Sequence, residues 1–205
     1  MIPTVDRLRY VALGDSYTIG TSVAPVDRWP DGLVAALAGG EPSLDLVANL
    51  AVDGFTTADV IRRQLPALDA LRPELVSLLI GVNDVVQGVE LATYQANVTT
   101  VLDDLAGRAG PDRVVTVAIP DYTVTPAGAD YGDPALRHDG IVAANGVMAR
   151  LATDRGIAWV DIFDLSERAA TDRGLVADDG LHPSGAQYAL WVERILPVVA
   201  RLIGR

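Results

Sequence analysis

Three residues of this chain have the types and spacing needed for nucleophilic catalysis. In "RYVALGDSYTIG" an apolar run stops at Gly14-Asp15-Ser16, and His182, one of only two histidines, lies three residues after Asp179. A serine hydroxyl is a weak nucleophile until a neighbouring base removes its proton, and a carboxylate can hold that base in the correct tautomer. The sequence predicts Ser16 as nucleophile, His182 as general base and Asp179 as its orienting carboxylate. Asp178 is a competing partner of His182 that requires a different turn.

Donors for a developing oxyanion are also present. The tetrahedral intermediate of acyl transfer needs preorganised N–H groups about 3 Å from its negative oxygen. Gly54 would expose an unshielded backbone N–H, the Asn83 side chain carries two amide hydrogens, and the Ser16 backbone offers another. We therefore expect Ser16, Gly54 and Asn83 to form an oxyanion hole.

Composition excludes several other chemistries. All 16 basic residues are arginines, so no Schiff-base lysine, Ser–Lys dyad or Walker-type lysine is available, and the absence of cysteine removes thiol nucleophiles. Two distant histidines without metal-binding spacing disfavour a metal site, and no G-x-G-x-x-G dinucleotide motif occurs. The sequence thus predicts neither a metal nor any other cofactor.

Short apolar runs alternate with longer helical patterns along the chain. The alternation predicts one three-layer α/β/α domain over residues 1–205, with a mostly parallel sheet. Strands are expected at 8–13, 44–49, 74–80, 113–119 and 157–161. Helices are expected near 29–38, 57–70, 91–108, 134–155 and 185–203, the last one opened by a capping box from Ser184 to Gln187.

The candidate chemical residues follow these predicted strands. In open parallel sheets, ligands bind beyond the carboxyl ends of the strands, so these polar groups are expected to meet at one edge. The Pro- and Gly-rich segment 120–134 is long enough to indicate a substrate-contacting loop.

Four motifs in this order resemble the GDSL, or SGNH, hydrolase family. They read "GDSYTIG", "NLAVDGFTT", "GVND" and "DGLHPSG", spanning residues 14–185. The resemblance implies a flavodoxin-like sheet of five parallel strands in the order 2-1-3-4-5 and a serine esterase with the site residues named above. The sequence departs from the motif that gives the family its name at Tyr17, where leucine is expected. We expect Tyr17 and Tyr122 to contact the substrate.

Other polar and aromatic residues have simpler interpretations. Asp15 is expected to accept backbone N–H groups in its turn, and Asp84 to cap a helix. His138 is predicted to be a surface residue and Asp178 a solvated one. Trp29, Phe55 and Tyr131 could line an acyl or alcohol pocket, but core packing is the more common role of such aromatic residues.

Charge and hydropathy limit the partners. The net charge of −11 disfavours nucleic acid and anionic membranes, no apolar run is long enough for stable membrane insertion, and no signal peptide precedes the first strand. We expect a cytoplasmic enzyme acting on a small-molecule ester, with a secreted mature form as the alternative. Acyl transfer to an alcohol, thioester cleavage, an inactive binding domain and a flavin or phosphorelay domain are rival functions, and the oligomeric state is left open.

Overall fold

A computed structural model describes residues 7–204 and contains one five-stranded sheet. All neighbouring strands are parallel, in the order β2-β1-β3-β4-β5. This confirms the predicted fold class and strand order. The strands are β1 (Arg7–Gly14), β2 (Ser43–Asn49), β3 (Leu75–Leu79), β4 (Val114–Val117) and β5 (Ala158–Val160).

The central strands are apolar because both faces of the sheet are covered. Every residue of β3 and β4 is buried, as is the second half of β1. Such strands show continuous apolar runs rather than alternation, which is the pattern the sequence displays. Strand β5 is only three residues long, shorter than expected from the sequence.

Helices cover both faces of the sheet. Helices α2 and α9 pack against each other, and α6 packs against α7. The helices are α1 (Ser16–Ile19), α2 (Trp29–Leu37), α3 (Thr57–Asp59), α4 (Leu68–Leu71), α5 (Val82–Val86), α6 (Leu91–Ala109), α7 (Pro134–Asp154), α8 (Phe163–Glu167) and α9 (Gly185–Leu202).

The helix predicted over 57–70 is one helical stretch with changing hydrogen-bond geometry. Between α3 and α4 the chain forms a π-helical turn, Val60–Gln64, and a 3-10 turn, Leu65–Ala67. Single π turns of this kind are frequent at functional sites. Here the π turn accompanies a buried Gln64 that reaches the end of β1.

The capping box expected at α9 is only half formed. Ser184 accepts a hydrogen bond from the Gln187 N–H at 3.3 Å, as predicted. The Gln187 side chain instead donates to the Leu175 carbonyl at 3.2 Å. It therefore anchors α9 to the segment that precedes His182 rather than to the helix's own first residue.

Within residues 7–204, no helix is both long and apolar enough to cross a bilayer.

Candidate active site

A cavity of about 250 Å³ opens at the carboxyl edge of the sheet, beside the ends of β1 and β3. The strand order reverses between β1 and β3, and the carboxyl ends of the strands at such a point are the usual position of a ligand in open parallel sheets. The cavity brings together the predicted residues Ser16, Gly54, Asn83 and His182. Its full lining is Ser16, Tyr17, Asp53, Gly54, Val82, Asn83, Val86, Tyr122, Tyr131, Leu181 and His182.

Ser16 is held at the start of α1 by a tight turn. Gly14 has φ of 151°, and a Cβ there would lie 2.3 Å from the Leu79 carbonyl oxygen, so only glycine fits. The Asp15 side chain then caps α1 by accepting the Tyr17 N–H at 3.1 Å, as predicted. Ser16 is therefore the first helical residue, whose N–H has no partner within a helix.

The turn 179–182 sets the orientation of the His182 ring. Asp179 Oδ1 accepts the N–H groups of Leu181 and His182, both at 2.9 Å, and Oδ2 lies 2.6 Å from His182 Nδ1. Partial burial raises the pKa of Asp179, but hydrogen bonds from Ser22, Leu181 and His182 outweigh burial and hold that pKa well below its ordinary value. Asp179 is thus a carboxylate that fixes His182 with Nδ1 facing it.

Asp179, and not Asp178, pairs with the ring. Asp178 is exposed to solvent, as predicted for a solvated neighbour. The Asp-Gly-Leu-His spacing allows the Asp179 carboxylate to bond both the backbone N–H and the ring of His182, which explains why Asp179 rather than Asp178 is the partner.

Gly54 and Asn83, two of the residues expected to form the oxyanion hole, line the same cavity as Ser16. Gly54 adopts φ of 78°, and the space around its α-carbon is open. Asn83 Nδ2 donates to the Phe55 carbonyl oxygen at 2.9 Å, which ties the Asn83 amide to the loop that carries Gly54. That bond uses one of the two amide hydrogens and leaves the other available to a ligand.

The Ser16 hydroxyl and the His182 ring line the cavity together without a direct hydrogen bond. Across residues 7–204, no hydrogen-bond partner of Ser16 Oγ is found. In unliganded enzymes the bond between nucleophile and base is often long and tightens when substrate binds. The Tyr17 ring, 5.6 Å from the His182 ring, limits movement of the imidazole from one side.

Asp84 caps a helix, as predicted, but that helix is α3 rather than α5, to which Asp84 itself belongs. It is the third residue of α5 and accepts hydrogen bonds from the Thr57 N–H at 2.9 Å and the Thr57 hydroxyl at 2.5 Å. It therefore caps the neighbouring helix α3 and fixes the loop after Gly54 against the helix that carries Asn83.

The tyrosines have different surroundings. Tyr17 and Tyr122 are each 3% exposed and belong to the core as well as to the cavity wall. Tyr131, expected in the core, is instead 44% exposed at the cavity and contacts Tyr122 edge-to-face at 6.1 Å. Trp29 is fully buried, as expected, and Phe55 packs partly buried against the core.

His138 is not a simple surface residue. Its Nδ1 lies 2.8 Å from Oδ2 of Asp121, whose side chain is buried, and this hydrogen bond raises the pKa of His138. The bond links α7 to the segment after β4. Neither His138 nor Asp121 lines the cavity that contains Ser16.

Two supporting residues were missed by sequence reasoning. Gln64 accepts the Gly14 N–H at 3.1 Å and donates to the Gly14 carbonyl at 2.7 Å, closing the strand end before Ser16. Ser22 donates to Asp179 Oδ2 at 2.6 Å. No spacing or motif signals either residue, because both bonds join segments far apart in the sequence.

Comparisons with known proteins identify the family. The model of the GDSL-like lipase/acylhydrolase family matches residues 12–190. An arylesterase of Vibrio mimicus is 25% identical over 176 residues, covering 85% of this chain and 80% of its own length.

Solved structures share the fold. The psychrotrophic esterase EstA from Pseudoalteromonas sp., solved in a form inhibited by monoethylphosphonate, has a TM-score of 0.72 at 16% identity, with 96% of this chain and 100% of that chain covered. The acetylxylan esterase Axe2 from Geobacillus stearothermophilus has a TM-score of 0.72 at 19% identity, with 98% of this chain and 96% of that chain covered. The chain belongs to the GDSL-like lipase/acylhydrolase family and is, by class, a carboxylic ester hydrolase.

Proposed function

We propose that this chain is a serine esterase that hydrolyses small carboxylic esters through an acyl-enzyme on Ser16. The observation that carries the proposal is the 2.6 Å bond between Asp179 Oδ2 and His182 Nδ1, on a ring that shares one cavity with Ser16. With Nδ1 engaged, Nε2 is the nitrogen left to act as a base, which is the tautomer that a serine nucleophile requires.

The reaction then proceeds in two halves. His182 accepts the Ser16 proton as Oγ attacks the ester carbonyl, and the alcohol departs with that proton. Water, deprotonated by His182, next attacks the acyl-enzyme and releases the acid. In both halves the oxyanion would receive hydrogen bonds from the Ser16 and Gly54 N–H groups and from the Asn83 amide.

The cavity favours a small, uncharged acyl group. Its volume of about 250 Å³ is below the range of pockets that hold drug-sized ligands, and its walls include Val82, Val86 and Leu181. Asp53 adds a carboxylate at the lining, and the net charge of the chain is −11. Both charges oppose anionic substrates.

The test is a series of p-nitrophenyl esters from acetate to palmitate, assayed with the wild type and with Ser16→Ala. We expect the highest kcat/KM at short chains of about two to six carbons and no turnover by the variant. Equal activity of Ser16→Ala, with its fold verified by circular dichroism, would refute the proposal. Adding a competing alcohol and analysing the products separates hydrolysis from acyl transfer.

A further inference from the structure

The segment that follows α1 contains an unusual backbone conformation close to the active site. Ser22 has φ of 67°, in the left-handed region that residues other than glycine, asparagine and aspartate seldom adopt. Such a conformation costs free energy and persists only where the surroundings hold it. Its side chain gives a reason for the conformation, since Ser22 Oγ donates to Asp179 Oδ2 at 2.6 Å.

Thr21, the residue before Ser22, also ties this segment to the active-site region. Thr21 Oγ1 donates to Asp53 Oδ1 at 2.6 Å, and Asp53 immediately precedes Gly54. Two adjacent hydroxyls thus bond two carboxylates, Asp53 beside Gly54 and Asp179 in the turn that carries His182. The segment itself continues from α1, the helix that begins with Ser16.

We propose that Ser22 is a positioning residue for the catalytic reaction, acting through Asp179. This inference rests on the proposed triad. Oδ2 is the same oxygen that meets His182 Nδ1, so the Ser22 hydroxyl determines how that carboxylate is turned. Oδ1 is held separately by the N–H groups of Leu181 and His182. With both oxygens held, the carboxylate cannot rotate away from the imidazole.

A positioning role predicts a defect in turnover rather than in substrate binding. Ser22 is absent from the cavity lining, so its removal leaves the walls that contact substrate unchanged. Ser22→Ala should lower kcat about tenfold, the effect expected from losing one hydrogen bond to a charged group, with KM within about twofold. Thr153→Ala, which removes an exposed hydroxyl bonded to its own helix, is the matched control and should leave both constants unchanged.

Ser22→Gly separates function from stability. Glycine tolerates φ of 67° without strain but lacks the hydroxyl. We therefore expect Ser22→Gly to lose kcat as Ser22→Ala does, while its thermal midpoint is equal to or above that of Ser22→Ala. Full activity of Ser22→Gly would overturn the proposal, because the hydroxyl would then be dispensable.

A double-mutant cycle identifies the route of the effect. Rates are measured for Ser22→Ala, Asp179→Ala and the double variant with p-nitrophenyl acetate. If Ser22 acts through Asp179, its removal has less than a twofold effect once Asp179 is absent. A full tenfold loss in both backgrounds would overturn the role of Ser22 while leaving the triad intact. Wild-type activity of Asp179→Ala would instead refute the triad itself, so the two failures are distinguishable.

Discussion

The fully buried carboxyl of Asp15 predicts an unusual pH dependence of stability. Asp15 is 0% exposed, its Oδ1 accepts only the Tyr17 N–H at 3.1 Å, and its Oδ2 has no partner among residues 7–204. Burial disfavours the charged form and raises the pKa of Asp15 to about 8, although the Tyr17 hydrogen bond partly opposes this. The replacement Asp15→Asn keeps the shape and cannot ionise.

The sign follows from which state binds the proton. Between about pH 4 and pH 8 the folded chain holds a proton on Asp15 that the unfolded chain has released. The contribution of Asp15 to stability is therefore complete below the unfolded pKa and falls as pH rises toward the folded pKa. The free energy of unfolding should drop by about 1.4 kcal/mol per pH unit through this window, or by about 6 kcal/mol at most.

The assay is urea unfolding followed by tryptophan fluorescence at pH 5 to 9. At each pH, the free energy of unfolding of the wild type is subtracted from that of Asp15→Asn. Contributions from groups that titrate alike in the two proteins cancel in this difference. We expect this difference to rise in favour of the variant by at least about 2 kcal/mol from pH 5 to pH 8. Asp45→Asn, the same change on an exposed carboxyl, is the control against which the Asp15→Asn difference is compared. A constant difference for Asp15→Asn would refute the reasoning.

Three further substitutions test other parts of the account. Asn83→Ala should lower kcat about 10²- to 10³-fold in steady-state ester hydrolysis if its amide serves the oxyanion, and an unchanged kcat would remove that role. Gln64→Leu leaves the Gly14 N–H buried without its partner and should cost about 2–4 kcal/mol in urea unfolding. The exposed Gln87→Leu is its control, and equal effects would contradict the inference. Tyr122→Phe removes a buried hydroxyl without a partner among the described residues. The free energy of unfolding should therefore change by less than about 1 kcal/mol, and kcat by less than about twofold. A tenfold fall in kcat would instead assign that hydroxyl a part in the reaction.

The sheet was predictable because its central strands, β3 and β4, are fully buried. Short, mostly apolar runs such as Leu75–Leu79 are typical of parallel strands that are covered on both faces. The strand order came from the resemblance to a family rather than from the runs themselves. That residues 1–205 form a single domain remains a prediction.

The contacts around the site are local in some cases and long-range in others. The bond between Asp179 and His182 spans three residues and could be expected from spacing. The bonds of Ser22 to Asp179 and of Asp84 to Thr57 join separate loops, and only the folded sheet determines which loops meet. Core packing was favoured over a pocket role for Tyr131 because aromatic residues are usually buried, but its loop holds it at the cavity.

The most direct test of the account is to locate the nucleophile chemically. A p-nitrophenyl phosphonate ester transfers its phosphonyl group to an activated serine hydroxyl and releases p-nitrophenol, which can be followed together with intact mass and peptide mapping. We predict one adduct, on Ser16, that is absent from Ser16→Ala and forms at least about 10²-fold more slowly in His182→Ala. Labelling of another residue, or equal labelling of Ser16→Ala, would contradict the assignment of Ser16 as the nucleophile.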